Sequence, residues 1–281
     1  MAGARHPLYQ MLLESMRAEK VQPAPVWRSS LITPADLQII QKQCEKNEFD
    51  CLNLRNSMYE AVAKGNAQIF ASESDVGRVI TITDGTADPT PLQIWGRLIR
   101  IFGQTPAIKP QVIWFASRHN RFWPPRGEPV GHAHINGGYC MPCEPNTVVI
   151  YRYEDATRVL IHELLHGFCT DSPLSRQNPI EFLETRTEAW AEIILAAARE
   201  VGIASPRPLP SALTAQLEWI ALQNERLRRE HRVVTPTDYA WRYTIGKEDA
   251  LRQMGFSTGP IKKYRPVLMR LTPPISQNDA L

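Results

Sequence analysis

The sequence predicts an α+β chain: a small mixed β-sheet lobe backed by a helix, followed by a mainly helical lobe, with a helical extension at the N-terminus. Three observations carry this prediction. Runs rich in β-branched residues at 78–83, 111–115 and 147–151 read as strands. A strongly apolar helical pattern separates the first two of them. From Tyr153 to Met254 the period is helical, interrupted only by loop signals such as Pro206, Pro208 and Pro210.

Composition narrows the class further. The 281 residues are 43% hydrophobic and 22% charged, with 23 prolines and 15 glycines, which fits a globular chain with one substantial core and excludes disordered or collagen-like ones. No run of about 18 apolar residues is present, so no membrane span is expected. The formal charge of +3 is the difference between 32 basic and 29 acidic side chains. A surplus that small does not argue for a nucleic-acid or membrane partner, and neither is expected. Five cysteines are too few for a disulfide scaffold, and an odd number leaves at least one unpaired. Met1–Lys20 lacks the continuous apolar stretch of a leader peptide. A reducing, intracellular compartment is therefore the expectation.

Taken in order, Thr33-Pro34-Ala35-Asp36 offers a cap, a first-turn proline and an early acid, and Leu37, Ile40 and Cys44 follow at helical spacing. Residues 1–75 read as the helical extension, in which Cys44 and Cys51 are core-packing residues. Arg78–Thr83 is the first strand of the main domain, 76–255. Thr90-Pro91 starts the backing helix through Leu92, Trp95, Ile99 and Phe102, and Gln111–Phe115 is the next strand. Ser117–Gly131 is a basic, proline-rich loop. Extended pieces at Ala133–Ile135 and Thr147–Tyr151 flank a turn at Asn136-Gly137-Gly138. Helices are then expected over 153–169, 179–201, 211–232 and 237–254, and 256–281 is an irregular, Pro-containing tail.

The first of these helices contains His162-Glu163-Leu164-Leu165-His166, the HExxH pattern. Two histidines at i and i+4 project from one helical face, so both imidazoles reach a single zinc at about 2 Å. Glu163 lies one step round the helix, beside the metal without ligating it, where it takes a proton from an attacking water and passes it to a leaving amine. No other charge falls between Val159 and Thr170, as a buried site helix requires. A catalytic zinc keeps three protein ligands and one open position. The next helix offers Glu181, Glu184, Glu188 and Glu192, with Arg186 the only base among them. The last three are spaced at i, i+4 and i+8, a like-charge arrangement that a cation would relieve.

His162–His166 followed by Glu188-Ala189-Trp190-Ala191-Glu192 resembles the gluzincin, thermolysin-like metallopeptidases. That resemblance implies a zincin-like fold with His162, His166 and Glu188 as zinc ligands, Glu163 as general base and Glu192 orienting His162 from behind. Glu184 with Glu188 fits the same five-residue pattern one turn earlier, so Glu184 is a rival third ligand. The wider stretch, with Asn136-Gly137-Gly138-Tyr139 and Ile150-Tyr151-Arg152, is also similar to uncharacterised predicted metallopeptidases of large DNA viruses; this similarity covers about residues 110–200. In such folds extended substrate pairs with the strand bordering the cleft, which falls here near 132–139.

Other residues carry weaker signals. His132, His134, Cys140 and Cys143 place four zinc-type ligands within twelve residues, enough for a second, structural zinc. His231, Tyr239 and Tyr243 are candidate donors to the oxyanion of a tetrahedral intermediate. Arg226, Arg228, Arg229 and Arg232 form a basic helix face interrupted by Glu225 and Glu230. The expected function is zinc-dependent peptide-bond hydrolysis, in a viral and intracellular or virion-associated protein. The rivals are a zinc-stapled structural protein that cleaves nothing and a zinc hydrolase acting on a non-peptide amide.

Overall fold

The computed structural model describes residues 6–85, 90–103, 109–170, 180–257 and 269–273. Most of the tail expected over 256–281 lies outside them. α1 (Pro7–Val21) has its proline in the first turn, and β1 (Arg28–Ser30) follows. α2 (Pro34–Gln43) starts at a capping box, in which the Asp36 N–H donates to Thr33 Oγ1 and the Thr33 N–H donates to the Asp36 carboxylate. A 3₁₀ turn at Glu48–Asp50 leads to α3 (Leu54–Ala63). β2 (Gln68–Glu73) and β3 (Arg78–Thr83) make a hairpin, and α4 (Leu92–Phe102) runs on towards β4 (Gln111–Phe115). α5 (His132–Ile135) is a single turn, followed by β5 (Gly138–Met141) and β6 (Glu144–Ile150). α6 (Ala156–Gly167), α7 (Ile180–Val201), α8 (Ala212–Glu230), a 3₁₀ turn at Tyr239–Trp241 and α9 (Ile245–Gln253) complete the order.

The chain divides into two compact units, each discontinuous in sequence. A sheet unit draws on 23–120 and 136–173, and a helical unit on 1–22, 121–135 and 174–281.

In the sheet unit six strands lie in the order β1-β2-β3-β4-β6-β5. β3, β4 and β6 run parallel, while β2 and β1 on one side and β5 on the other are antiparallel to their neighbours. Strand residues alternate between two buried faces. Val79, Val112, Trp114, Val148 and Ile150 pack with Trp95 and Ile99 of α4 and Val159, Leu160 and Leu164 of α6. Ile80, Ile82, Ile113, Phe115 and Val149 pack the other way, with Ile40 of α2 and Leu54 of α3. Both faces being covered explains the near-continuous apolar character of β3, β4 and β6. The expected purely helical extension is therefore corrected: 23–75 supplies β1, β2 and the helices over the second face. β1 has three residues and β2 carries Gln68, Ser72 and Glu73, too short and too polar to read as strands.

In the helical unit α7 is buried almost all round, and its small Ala189, Ala191, Ala196, Ala197 and Ala198 admit close neighbours. Tyr9 of α1 packs edge-on to Phe256, 6.2 Å between centroids. Gln216, Trp219 and Gln223 of α8 donate to the carbonyls of Arg270 and Leu271, which pins 269–273 to the helix. The single helix expected over 237–254 is broken. Thr244 leaves helical geometry (φ −135°, ψ −89°) with its hydroxyl donating to Ala240 O at 2.6 Å, and α9 starts afresh. Among the described residues no helix is long and apolar enough to cross a membrane.

Candidate metal centre

On the sheet unit, α6 carries His162, Glu163 and His166. His162 and Glu163 are buried at 6% and 5% exposure, and the frame around them is Val159, Leu160, Ile161, Leu164 and Leu165. Four-residue spacing brings His162 Nε2 to 3.1 Å from His166 Nε2, with the rings edge-to-face at 4.7 Å. Two zinc–nitrogen bonds of about 2.05 Å ending on atoms 3.1 Å apart enclose about 98°, close to a tetrahedral angle. The pair therefore fits a shared metal ion.

The edge strand β5 lies against this helix. A Cβ at Gly138 would fall 2.5 Å from Val159 Cγ1 and 2.7 Å from Val149 O, so only glycine allows the approach. The same position is 3.5 Å from Glu163 Oε1, which places the carboxylate over the strand. Cys140 Sγ sits 3.1 Å from the Glu163 carbonyl. At the end of α6 the N–H groups of Cys143 and Cys169 both donate to His166 O at 3.0 Å, and the two cysteines form a disulfide. Tyr139 is held by the Arg55 guanidinium and stacks on Phe49 at 5.2 Å, which anchors β5 from its other face.

These observations correct three expectations. Cys143 is a disulfide sulfur and not a thiolate, so the set His132, His134, Cys140 and Cys143 cannot hold a second zinc as read. His132 and His134 lie on the helical turn α5, not on a strand: His132 stacks on Tyr239 at 3.7 Å, and His134 Nδ1 accepts the Gly131 N–H at 2.9 Å. The strand near the site is thus 138–141 and not 132–139. The disulfide also removes the cysteine count as an argument for a reducing compartment. Cys44, Cys51 and Cys140 remain as thiols.

On the helical unit, α7 presents Glu184, Glu188 and Glu192. Glu188 and Glu192 are each 1% exposed, and Lys247 of α9 reaches both, at 3.6 and 2.6 Å. Tyr243 is held far above the usual phenol range, first by burial, then by the Glu184 carboxylate, Tyr239 and Glu188. It therefore stays protonated beside the acidic helix. His231 is a packing residue: it is 5% exposed, stacks on Trp123 at 5.5 Å, and its Nδ1 meets Glu128 O at 2.9 Å. Tyr239 Oη lies 3.4 Å from Tyr243 Oη. In the basic cluster Arg226 pairs with Glu230 at 2.9 Å and covers Trp123, so its charge is already engaged.

Sequence reasoning missed Lys247 and Cys169. Lys247 shares a helical face with Ala250 and Leu251, and a lone lysine on an apolar face was the available signal. Cys169 stands three residues past His166. Comparison with protein-family models, curated proteins and solved structures finds no match to this chain.

Proposed function

We propose that the chain is a zinc-dependent metallopeptidase. The observation that carries the reading is the convergence of His162 and His166 Nε2 at 3.1 Å on a buried helix, with Glu163 beside them facing the edge strand β5. His162 and His166 hold the metal, and a carboxylate from the acidic face of α7, Glu184 or Glu188, completes the ligands. A bound zinc would supply the Lewis acidity that activates water and polarises the scissile carbonyl. Glu163 takes the proton of the attacking water and returns it to the leaving amine. The outer edge of β5 offers main-chain groups to an extended peptide, whose backbone pairs with the strand above Glu163. Tyr243, protonated and next to the acidic face, is the favoured donor to the oxyanion.

Glu163→Gln tests the reading. Turnover of a peptide substrate falls by about 10² to 10⁴ while bound zinc is unchanged. Unaltered turnover would remove Glu163 as the base. The second reading, a zinc-stapled structural protein, is favoured by the engagement of Glu188 and Glu192 with Lys247, which departs from the metallopeptidase pattern. In that case Glu163→Gln leaves every measurable function intact. The Cys143–Cys169 bond favours an oxidising setting, such as a virion exterior, over a reduced cytosol.

A further inference from the structure

Both cysteines of the disulfide stand in left-handed backbone, Cys143 at φ 63° and Cys169 at φ 60°. Cys143 follows Pro142 in the two-residue connection between the paired Met141 and Glu144. A left-handed residue after a proline is the pattern of a type II turn, which calls for glycine or asparagine. Cys169 is the first residue past the cap of α6: its N–H donates to His166 O at 3.0 Å, and the Thr170 N–H donates to Leu165 O at 3.1 Å. These are the two bonds of a Schellman ending, whose left-handed position again favours glycine. Each cysteine therefore carries a steric cost that glycine would not, and the surrounding structure has to hold it there. The Cys143–Cys169 bond does so, because it ties the β5–β6 hairpin to the helix end with both N–H groups on His166 O. Gly167 lets the hairpin come close, since a Cβ there would fall 3.2 Å from Pro145 Cα. Cys143 is exposed and Cys169 half-buried, so a reductant reaches Cys143.

We infer that Cys143–Cys169 is a redox site, opened by a dithiol reductant, which controls the last turn of α6. Exposed or strained disulfides are the labile ones. One thiolate of the dithiol attacks Cys143 Sγ, and Cys169 leaves as a thiolate that takes up a proton. The second thiol of the reductant then attacks the mixed disulfide, frees Cys143 as a thiol and closes the reductant's own disulfide. The chain gains two electrons and two protons, and the dithiol loses them. With the bond gone, each cysteine leaves the left-handed region independently, His166 O loses both N–H donors, and the turn from Leu165 to Thr170 frays. That turn carries His166, whose Nε2 meets that of His162 at 3.1 Å, so the opened form holds a metal more weakly. This last consequence rests on the metallopeptidase reading above; the opening of the turn does not.

The test is amide hydrogen exchange of the metal-free full chain, read by mass spectrometry with and without dithiothreitol; this arm needs no variant to fold. Dithiothreitol raises the free thiols of the folded chain from three to five. The amides of Cys143, Phe168, Cys169 and Thr170 then exchange about tenfold faster or more, while those of β3 and β4 stay protected. Cys143→Ala with Cys169→Ala shows the fast exchange without reductant. Cys143→Gly with Cys169→Gly keeps the slow exchange in both conditions, because glycine holds the left-handed turns with no bond. Zinc affinity, read without reductant by competition with a chromogenic chelator, falls about tenfold in the alanine pair and stays within about threefold of wild type in the glycine pair. A bond with only a global stabilising role would lower the melting temperature on reduction and leave these amides as slow as before; that result overturns the inference. So does a bond that dithiothreitol leaves intact in the folded chain, or a glycine pair that frays like the alanine pair. If the amides respond as expected and the wild-type chain binds no zinc, the redox site stands and the metallopeptidase reading falls. If wild type and the alanine pair bind zinc equally well, control of the metal site is overturned.

Discussion

At Gly138 a hydrogen atom is all the fold admits, because Val159 Cγ1 and Val149 O already occupy the space a methyl group would need. Gly138→Ala forces β5 away from α6 and is expected to cost about 1–3 kcal/mol, measured by urea unfolding. A neutral result would mean that β5 does not pack against the HExxH helix. Cys44 shows how burial sets reactivity: it pushes the thiol up to about 11, against the lowering pull of the Arg55 guanidinium. Cys51 is exposed. Under native, non-reducing conditions alkylation at pH 8 should therefore label Cys51 rapidly and leave Cys44 untouched, as peptide mass mapping would show. The placement of His162, Glu163 and His166 on one helix was legible in the sequence because a five-residue spacing is local. Lys247 was not, since its meaning comes from Glu188 and Glu192, more than fifty residues away, and from a close approach that Gly246 permits.

The elements differ in how much of their stability is local. α2 is held at its start by Thr33 and Asp36, and Arg78 of β3 adds an ion pair to Asp36 at 2.8 Å. Burial raises the Asp36 carboxyl, but its hydrogen bonds with Thr33 and its pairing with Arg78 outweigh this and hold it below the usual value. A depressed folded-state value stabilises above the unfolded value of about 3.9, and that contribution is lost as the pH falls through the folded value. The stability gap between wild type and Asp36→Asn should accordingly be full above about pH 5 and shrink steadily on further acidification. A gap that is constant from neutral pH to strong acid would contradict the pairing. The disulfide fixes a second junction, between the β5–β6 hairpin and the end of α6. Unfolded but unreduced protein should show three free thiols and reduced protein five. Cys143→Ser with Cys169→Ser should cost about 2–4 kcal/mol, for a closed loop that spans a sequence separation of 26. Strands β3, β4 and β6 were legible as β-branched runs and α6 to α8 as helical periods. β1, β2 and the turn α5 were not, because segments of three to six residues carry too little periodicity and only their partners define them.

At the scale of the molecule, the chain passes from the helical unit to the sheet unit and back twice, so neither unit is a continuous stretch of sequence. Composition and periodicity reveal elements but not such exchanges, which fall at residues 22/23, 120/121, 135/136 and 173/174. The acidic helix α7 belongs to the helical unit and the two histidines to the sheet unit. At zinc concentrations one hundred times the dissociation constant, the folded chain gains about 2.7 kcal/mol, visible as a rise in melting temperature that a chelator reverses. The most direct test of the central claim is the zinc content of the purified full chain, set against that of a folded His162→Ala/His166→Ala variant. One zinc per wild-type chain and none in the variant is the predicted result. A wild-type chain without zinc, or a variant that keeps it, would contradict the claim.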